Sequence, residues 1–213
     1  VWDTASGTEI HRLDGHEDDV YSVAWSPDGA MLASGGLDCT LRVWDATSGS
    51  ELHTLEGLWV YSVAWSPDGT KLASGEGCEE GGAMVRVWDV ASGKEICKFE
   101  GHGQLVNAVA WSPNGTKLAS GDWGGTARVW DVSSGKEIHE LEGHKGPVNS
   151  VDWSPDGSKV VSSGWDQTIR LWDAASGPEI YRFDNIAAYS AAWSPDGINL
   201  ASAGFDDTVR LWD

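Results

Sequence analysis

Short apolar and β-branched runs alternate with turn signals along the whole chain. Residues 20–26 form one such run, and Pro27-Asp28-Gly29 follows with proline at the second position of a turn. Residues 71–74 predict a second strand and residues 40–44, which alternate apolar and polar, a third. After a Ser-Gly turn, residues 9–13 and their copies predict a shorter, more polar fourth strand. The pattern therefore predicts an all-β chain built from four-stranded units.

Two tryptophan motifs repeat in phase with these units. A Trp-Asp pair closes a strand-like run six times, at intervals of 42, 44, 42, 42 and 40 residues: Trp2, Trp44, Trp88, Trp130, Trp172 and Trp212. Trp-Ser-Pro-Asp-Gly begins at Trp25, Trp65, Trp153 and Trp193, and Trp111 starts a variant with Asn114 in place of the aspartate. A fixed period of this length is the signature of a repeat architecture.

These motifs resemble those of the WD-repeat family, in which each repeat builds one four-stranded blade of a β-propeller. The chain opens at the close of a third strand, supplies a fourth at residues 9–13, and ends at the close of another third strand. We therefore expect a single domain, residues 1–213, forming a β-propeller of five four-stranded blades. In it, residues 9–13 pair with the C-terminal strands of residues 189–213 and remove a free edge.

The number of blades leaves alternatives open, because propellers of this family most often have seven. A closed monomer is favoured, but a ring made from more than one chain, or an incomplete propeller, also fits the repeats. The chain begins inside a motif, as expected of a segment excised from a longer protein or of an engineered repeat segment without its own activity. Flanking domains or further blades are then absent from the sequence.

The repeats differ in length at two loops only. One precedes the first strand, and the other joins the second strand to the third and is four residues longer between Trp65 and Trp88. The resemblance implies that both loop types emerge on one face of the disc, the face carrying the main partner-binding rim. Loops tolerate length changes and carry recognition, so we expect the binding surface there.

Bulky side chains are concentrated at these loops. Trp59, Trp123 and Trp165 belong to neither tryptophan motif, and Leu37 and Phe205 occupy the position of Trp123 and Trp165 in two other repeats. Five residues share the second position of the first strand, which in the family opens toward the same face: Tyr21, Tyr61, Tyr189, Asn107 and Asn149. Aromatic anchors are typical of binding hot spots, whereas packing against neighbouring loops is the alternative role. We predict that these ten residues bind a partner.

Two repeats contain the residue types of a catalytic triad together with a tryptophan. They are His16, Ser34, Asp38 and Trp44, and His144, Ser162, Asp166 and Trp172. The resemblance implies a buried structural network instead, in which the indole, a donor only, finds its acceptor. Repetition around a ring favours this role, so we expect no catalytic residue and no enzyme activity.

The network is incomplete in the remaining three repeats. One lacks the histidine and has Gly82 at the aspartate position, the next keeps His102 and Ser120 but has Gly124, and the last keeps Ser202 and Asp206 without a histidine. We expect these repeats to be locally softer. Glu76, Glu79 and Glu80 are assigned to the four-residue insertion, where a solvated loop is favoured over a cation site. No metal and no cofactor are expected.

The net charge and the cysteine content limit the kinds of partner and the cellular compartment that we expect. The chain has 14 Lys and Arg against 33 Asp and Glu, a formal charge of −19, which disfavours nucleic acid and anionic membranes. Three cysteines without a paired or metal-ligand spacing favour a reducing, cytoplasmic setting. The expected function is a non-catalytic scaffold for a protein or peptide, with basic partners favoured by the acidic rim. A small-ligand or carbohydrate binder using the same aromatic rim is the alternative.

Overall fold

A computed structural model describes residues 1–78, 81–186 and 188–213, and within them every regular element is a β-strand. The strands are β1 (Val20–Trp25), β2 (Met31–Gly36), β3 (Thr40–Asp45), β4 (Glu51–Glu56), β5 (Trp59–Trp65), β6 (Lys71–Gly77), β7 (Met84–Asp89), β8 (Lys94–Glu100), β9 (Val106–Trp111), β10 (Lys117–Asp122), β11 (Ala127–Asp131), β12 (Lys136–Leu141), β13 (Val148–Trp153), β14 (Lys159–Gly164), β15 (Thr168–Asp173), β16 (Glu179–Asp184), β17 (Ala188–Trp193), β18 (Leu200–Gly204) and β19 (Val209–Trp212).

Consecutive strands pair antiparallel to form five separate sheets, each corresponding to one repeat. Blades 1 to 4 are the four-stranded sheets β1–β4, β5–β8, β9–β12 and β13–β16, and blade 5 is the three-stranded sheet β17–β19. The Pro-Asp-Gly turns lie between the first and second strands, as their turn chemistry requires. The predicted all-β fold of five repeated blades is therefore confirmed.

Neighbouring blades share their apolar cores. Leu41 and Val43 of β3 pack in one cluster with Val60, Val63 and Trp65 of β5, and corresponding clusters join the later blades. The third-strand face of each blade thus covers the first-strand face of the next. These positions are apolar in every repeat because both faces of each inner strand are buried.

The closing strand is not where the sequence predicted it. Residues 9–11 bond to the N-terminus: the Ile10 amide donates to Val1 O, and the Val1 amino group donates to His11 O at 2.6 Å. Trp2 forms an isolated bridge with Glu9. Among the described residues β19 has β18 as its sole neighbour, so the predicted pairing of residues 9–13 with the C-terminal strands is wrong for this structure. We call residues 1–13 the N-terminal hairpin.

Candidate functional site

The register of the blades places both variable loop types at one end of each sheet. In every blade a residue at the start of the first strand pairs with the same position near the end of the second strand, as Val20 does with Gly36 and Val60 with Glu76. The loop before the first strand and the loop after the second therefore leave the sheet together. We call this end the loop face.

A β-bulge sits near the start of every first strand, at the second residue in blades 1, 3, 4 and 5 and at the third residue in blade 2. The pairing register shifts there in all five blades, and the residues at the bulge are Tyr21, Tyr61, Asn107, Asn149 and Tyr189. A bulge adds one unpaired residue and re-aims its side chain. This local feature lets a polar or aromatic residue interrupt an otherwise buried strand at the loop face.

Four aromatic side chains form a continuous row across blades 3, 4 and 5. The ring centroids of Trp123 and Trp165 are 6.3 Å apart, those of Trp165 and Phe205 are also 6.3 Å apart, and those of Tyr189 and Phe205 are 3.7 Å apart. The four side chains remain 42%, 52%, 51% and 50% exposed in the order Trp123, Trp165, Phe205 and Tyr189. We call these four residues the aromatic cluster.

The other aromatic candidates lie on the loop face of blades 1 and 2. Tyr21 and Tyr61 meet edge to face with centroids 5.4 Å apart, and Tyr21 is exposed whereas Tyr61 is half-buried. Trp59, at the start of β5, and Leu37 are half-buried. In the described part of the chain, Trp59 has no ring contact with the aromatic cluster. The candidates therefore divide into a four-ring cluster and a separate tyrosine pair.

Asn107 and Asn149, at the bulges of blades 3 and 4, each form a hydrogen bond on the loop face. The Trp123 indole donates to Asn107 Oδ1 at 2.5 Å, which fixes the ring over the bulge of its own blade. The Asn149 amide donates weakly to Ala188 O of the next blade, at 3.4 Å. Both side chains are half-buried, so their contacts support neighbouring groups on the loop face.

The triad-like residues form hydrogen-bonded chains inside blades 1 and 4. In blade 4, the Trp172 indole donates to Ser162 Oγ at 2.8 Å, His144 Nε2 lies 2.8 Å from the same oxygen, and His144 Nδ1 lies 2.9 Å from Asp166. Blade 1 repeats the arrangement with Trp44, Ser34, His16 and Asp38. One direction satisfies every group, with tryptophan donating to serine, serine to histidine and histidine to aspartate.

Hydrogen bonds hold both aspartates of these chains in the charged form. Burial raises the pKa of Asp166, but the hydrogen bond and the electrostatic attraction of His144, together with the Lys145 and Thr168 donors, outweigh that effect, so the pKa lies below the ordinary value. For Asp38, burial is likewise outweighed, chiefly by the Glu17 amide, and the pKa is lowered. Ionised aspartates therefore terminate these chains at neutral pH.

Blade 3 supplies its carboxylate from a different position, which the sequence analysis missed. Asp122 Oδ2 lies 2.9 Å from His102 Nδ1, and His102 Nε2 lies 2.6 Å from Ser120 Oγ. Asp122 pairs with Val106 as Gly164 pairs with Val148, so the aspartate has moved to the glycine position. The expectation that Gly124 leaves this blade without a carboxylate is wrong.

Blade 2 replaces both histidine and aspartate with one residue. Glu76 lies in β6, fully buried, rather than in the insertion to which it was assigned. Its Oε1 accepts from Ser74 Oγ at 2.5 Å, and its Oε2 accepts from the Leu58 amide at 2.9 Å and lies 3.5 Å from Arg86 Nε. Burial raises its pKa, opposed by these donors. Glu79 and Glu80 lie outside the described residues.

Blade 5 has the shortest series of hydrogen bonds of this kind. The Trp212 indole donates to Ser202 Oγ at 3.0 Å, whereas Asp206 bonds to Thr208 and Arg210 at the surface. Blades 2 and 3 thus each place a buried carboxylate in the network, although blade 2 has no histidine in it. The expected local softness of blades 2, 3 and 5 stays a prediction.

Two further features, metal-ligand clusters and membrane-spanning helices, were looked for among the described residues. Within the described ranges, no group of three or more His, Cys, Asp or Glu side chains is placed to hold a metal ion. No helix there has the length and apolar character needed to span a bilayer.

The family comparison covers most of the chain. The family model described as "WD domain, G-beta repeat" matches residues 7–45, 49–89, 93–131, 135–173 and 183–213. Each match ends at the close of the third strand of one blade, and the second, third and fourth matches begin just before the fourth strand of the preceding blade, so the matched repeat is offset from the blade by one strand.

Curated relatives match over about one repeat. Coronin-7 of Rattus norvegicus is 51% identical over 43 residues, which is 20% of this chain and 5% of that protein. Coronin-7 of Homo sapiens is 44% identical over 43 residues, with the same coverage. An intraflagellar transport protein 122 homolog of Danio rerio is 55% identical over 38 residues, 18% of this chain and 3% of that protein. The chain spans no more than 5% of the length of these relatives.

Proposed function

Because the chain belongs to the WD40 repeat family, we propose that it is a non-catalytic scaffold that binds a protein or peptide on its loop face. The aromatic cluster is the centre of the proposed site. Trp59, Leu37, Asn107, Asn149 and the Tyr21–Tyr61 pair form its periphery. The single observation that carries the proposal is the exposure of four contacting rings across three blades.

The cluster has the physical character of a binding hot spot. Exposed aromatic rings in mutual contact are unusual on a protein surface and mark interaction sites. Tryptophan and tyrosine lose little side-chain entropy when they bury a large area against a partner. Neighbouring rings contact one another, and the Trp123 indole also donates to Asn107, so the rings are ordered before a partner binds. Binding therefore loses less side-chain conformational entropy.

Charge on the loop face favours a basic partner. Exposed Asp206 and Asp207 directly follow Phe205 of the cluster, and exposed Glu17, Asp18 and Asp19 precede β1 on the loop face of blade 1. Lysine or arginine side chains of a partner would be stabilised electrostatically by these carboxylates and by cation–π contact with the rings. The proposed ligand is therefore an extended segment rich in Lys or Arg.

The serines of the triad-like sets support a structural role rather than catalysis. Ser34 and Ser162 are buried, and each Oγ accepts the indole hydrogen of Trp44 or Trp172. A nucleophilic serine needs an accessible oxygen beside its base. Here the oxygen is enclosed between an indole and an imidazole.

A peptide-display selection tests the proposal. Random peptides are selected on the full chain, and their dissociation constants are measured against Trp123→Ala and Trp165→Ala. We expect each substitution to weaken binding at least about tenfold, as for hot-spot aromatics, with little change in thermal stability because both side chains are about half exposed. Tyr181→Ala is the matched control, since Tyr181 is a 59% exposed aromatic residue on the outer strand β16.

Two results would contradict the proposal. Selected peptides that bind both tryptophan variants as tightly as the parent chain would place the site elsewhere. Peptides without an excess of Lys and Arg would exclude the basic-partner component while leaving the aromatic site intact.

A further inference from the structure

The interface between blades 4 and 5 contains smaller apolar side chains than the three interfaces before it. In blade 5, Ala188 and Ala191 are buried against blade 4, at 1% and 3% exposed. Each earlier interface has two valines at these positions of the first strand: Val60 and Val63, Val106 and Val109, and Val148 and Val151. Each alanine buries less apolar surface than a valine, so blade 5 gains less from hydrophobic contact with its neighbour.

The facing position on the second strand of blade 4 carries a polar group. Blades 1 to 3 have Gly35, Gly75 and Gly121 there, and a Cβ on Gly35 or Gly121 would lie 2.3 or 2.4 Å from a valine Cγ1. Blade 4 has Ser163, for which the smaller Ala188 leaves room. Ser163 is fully buried, and in the described part of the chain its Oγ has no hydrogen-bond partner. A hydroxyl that is buried in this way loses its bonds to water without compensation.

The tryptophan bond that links the other blades is also missing between blades 4 and 5, within the residues that the structure describes. The Trp193 indole nitrogen is buried there without an acceptor. Asp152 occupies the position at which the first strands of blades 1 to 3 have alanine, and its Oδ2 accepts from the Trp193 backbone amide at 3.1 Å. At the earlier interfaces the indole donates to the carbonyl of that alanine: Trp65 to Ala24 O, Trp111 to Ala64 O and Trp153 to Ala110 O, at 3.0, 3.1 and 3.2 Å.

The aromatic cluster spans this same interface. Trp165 belongs to blade 4, whereas Phe205 and Tyr189 belong to blade 5, and the contact between the Trp165 and Phe205 rings joins the two blades on the loop face. A partner that covers both rings therefore contacts two blades whose shared interface has alanines and unpaired polar atoms where the others have valines and a hydrogen bond.

We propose that blade 5 separates from blade 4 more readily than the other neighbouring blades separate from each other, and that a partner bound across Trp165 and Phe205 stabilises the docked blade. The second statement rests on the function proposed for the loop face. A partner that needs both rings binds only the docked form, so its binding free energy adds to that of docking. Weaker docking lowers the affinity for the partner in turn, because such coupling is reciprocal.

Hydrogen exchange followed by mass spectrometry, with and without a selected peptide, tests this coupling. The segments that report on blade 5 contain Trp193 and Leu200, which pair across β17 and β18 at the end of the sheet opposite the loop face. A peptide on the loop face does not shield them directly. The reference segments contain Trp65 and Leu72, the corresponding pair of blade 2. We call these the blade 5 segments and the blade 2 segments.

Double substitutions exchange the residues of two interfaces. Ser163→Gly/Ala188→Val, the restored variant, gives blades 4 and 5 the residues of the earlier interfaces, and Ser163→Ala removes the unpaired hydroxyl alone. Gly35→Ser/Val60→Ala, the control variant, makes the opposite change between blades 1 and 2, which the aromatic cluster does not span. Far-UV circular dichroism checks that each variant folds.

In the free chain, the blade 5 segments should exchange at least about tenfold faster than the blade 2 segments, since weakly packed units open at a lower free energy. The restored variant should remove most of this difference, and Ser163→Ala part of it. A peptide at about a hundred times its dissociation constant should slow the blade 5 segments about a hundredfold, because it binds the docked form alone. In the control variant the blade 2 segments should exchange faster, and the peptide should not reverse this.

Three results would overturn the proposal. They are blade 5 segments that exchange no faster than the blade 2 segments, exchange in blade 5 that neither the restored variant nor Ser163→Ala slows, and a bound peptide that leaves the blade 5 segments unchanged. If no peptide binds the aromatic cluster, the proposed function and the stabilisation by a partner both fail. Exchange in the free chain and its variants then still decides whether this interface is the weakest.

Discussion

Moving the carboxylate of blade 3 tests how its buried network is built. Blades 1 and 4 place glycine opposite the first strand and aspartate two residues later, whereas blade 3 has Asp122 first and Gly124 second. A Cβ on Gly164 would lie 2.7 Å from His144 Nδ1 and 3.1 Å from Asp166 Oδ1, so one side chain fills the space from either position. The double substitution Asp122→Gly/Gly124→Asp should therefore rebuild the arrangement of blade 4.

Each of the two single substitutions should lower the free energy of unfolding. Asp122→Gly removes the acceptor of the His102 imidazole and of the Thr126 amide, with His102 buried, and should lower the free energy of unfolding by about 3 kcal/mol. Gly124→Asp alone would set a Cβ 3.3 Å from Asp122 Oδ1 and bring a second carboxylate beside the first, costing about 1–2 kcal/mol. The double variant, with unchanged composition, should stay within about 1 kcal/mol of the parent, a coupling of about 3 kcal/mol.

Urea unfolding followed by far-UV circular dichroism and tryptophan fluorescence measures these differences. Both signals must give the same midpoint, because repeat arrays can lose two-state behaviour. Hydrogen exchange of the Trp130 indole, which donates to Ser120 Oγ at 2.7 Å, reports on the network itself. If the double variant is as unstable as the sum of the singles, the two positions do not serve the same imidazole.

Two further predictions concern acid stability and blade contacts. Because the pKa of Asp166 is lowered in the folded chain, its contribution is present above the ordinary aspartate pKa of about 3.9 and is lost as pH falls below it. Asp166→Asn should therefore flatten the loss of stability as the pH falls from about pH 5 to about pH 2, and an unchanged slope in urea midpoints would contradict this. Trp65→Phe removes the indole bond to Ala24 O and should cost about 1 kcal/mol, whereas Trp25→Phe should be close to neutral. Equal effects would show that the inter-blade bond contributes nothing.

The repeat pattern was sufficient to predict the strands and their order, whereas the face on which the variable loops emerge was implied by the family resemblance. The strands and their order follow from alternation, turn residues and spacing, which are local properties. The sequence could also place Trp123, Trp165 and Phe205 at one equivalent position. That Tyr189 completes their row depends on the bulge in β17, an irregularity that periodicity does not show.

The incorrect predictions about the buried network concern carboxylates whose role depends on the space that they reach, not on their aligned position in the repeat. Comparing residues at the aspartate position flagged Gly82 and Gly124, but Glu76 and Asp122 reach the same space from an earlier position. Ring closure failed for another reason. Residues 9–13 could pair with the N-terminal Trp2-Asp3 segment or with the C-terminal Trp212-Asp213 segment. They pair with the nearby Val1-Trp2 segment because the connecting loop is short and costs little entropy to close.

The bulge near the start of each first strand separates two tasks that strands usually combine. In blades 2 to 4 the residues on either side of it contact a neighbouring blade, whereas the bulge residue itself is tyrosine in three of the five blades and asparagine in two. Tyr21 and Tyr189 are the exposed members of this set. A substitution at either of these two positions would change the chemistry of the loop face while the apolar contacts between blades stay the same.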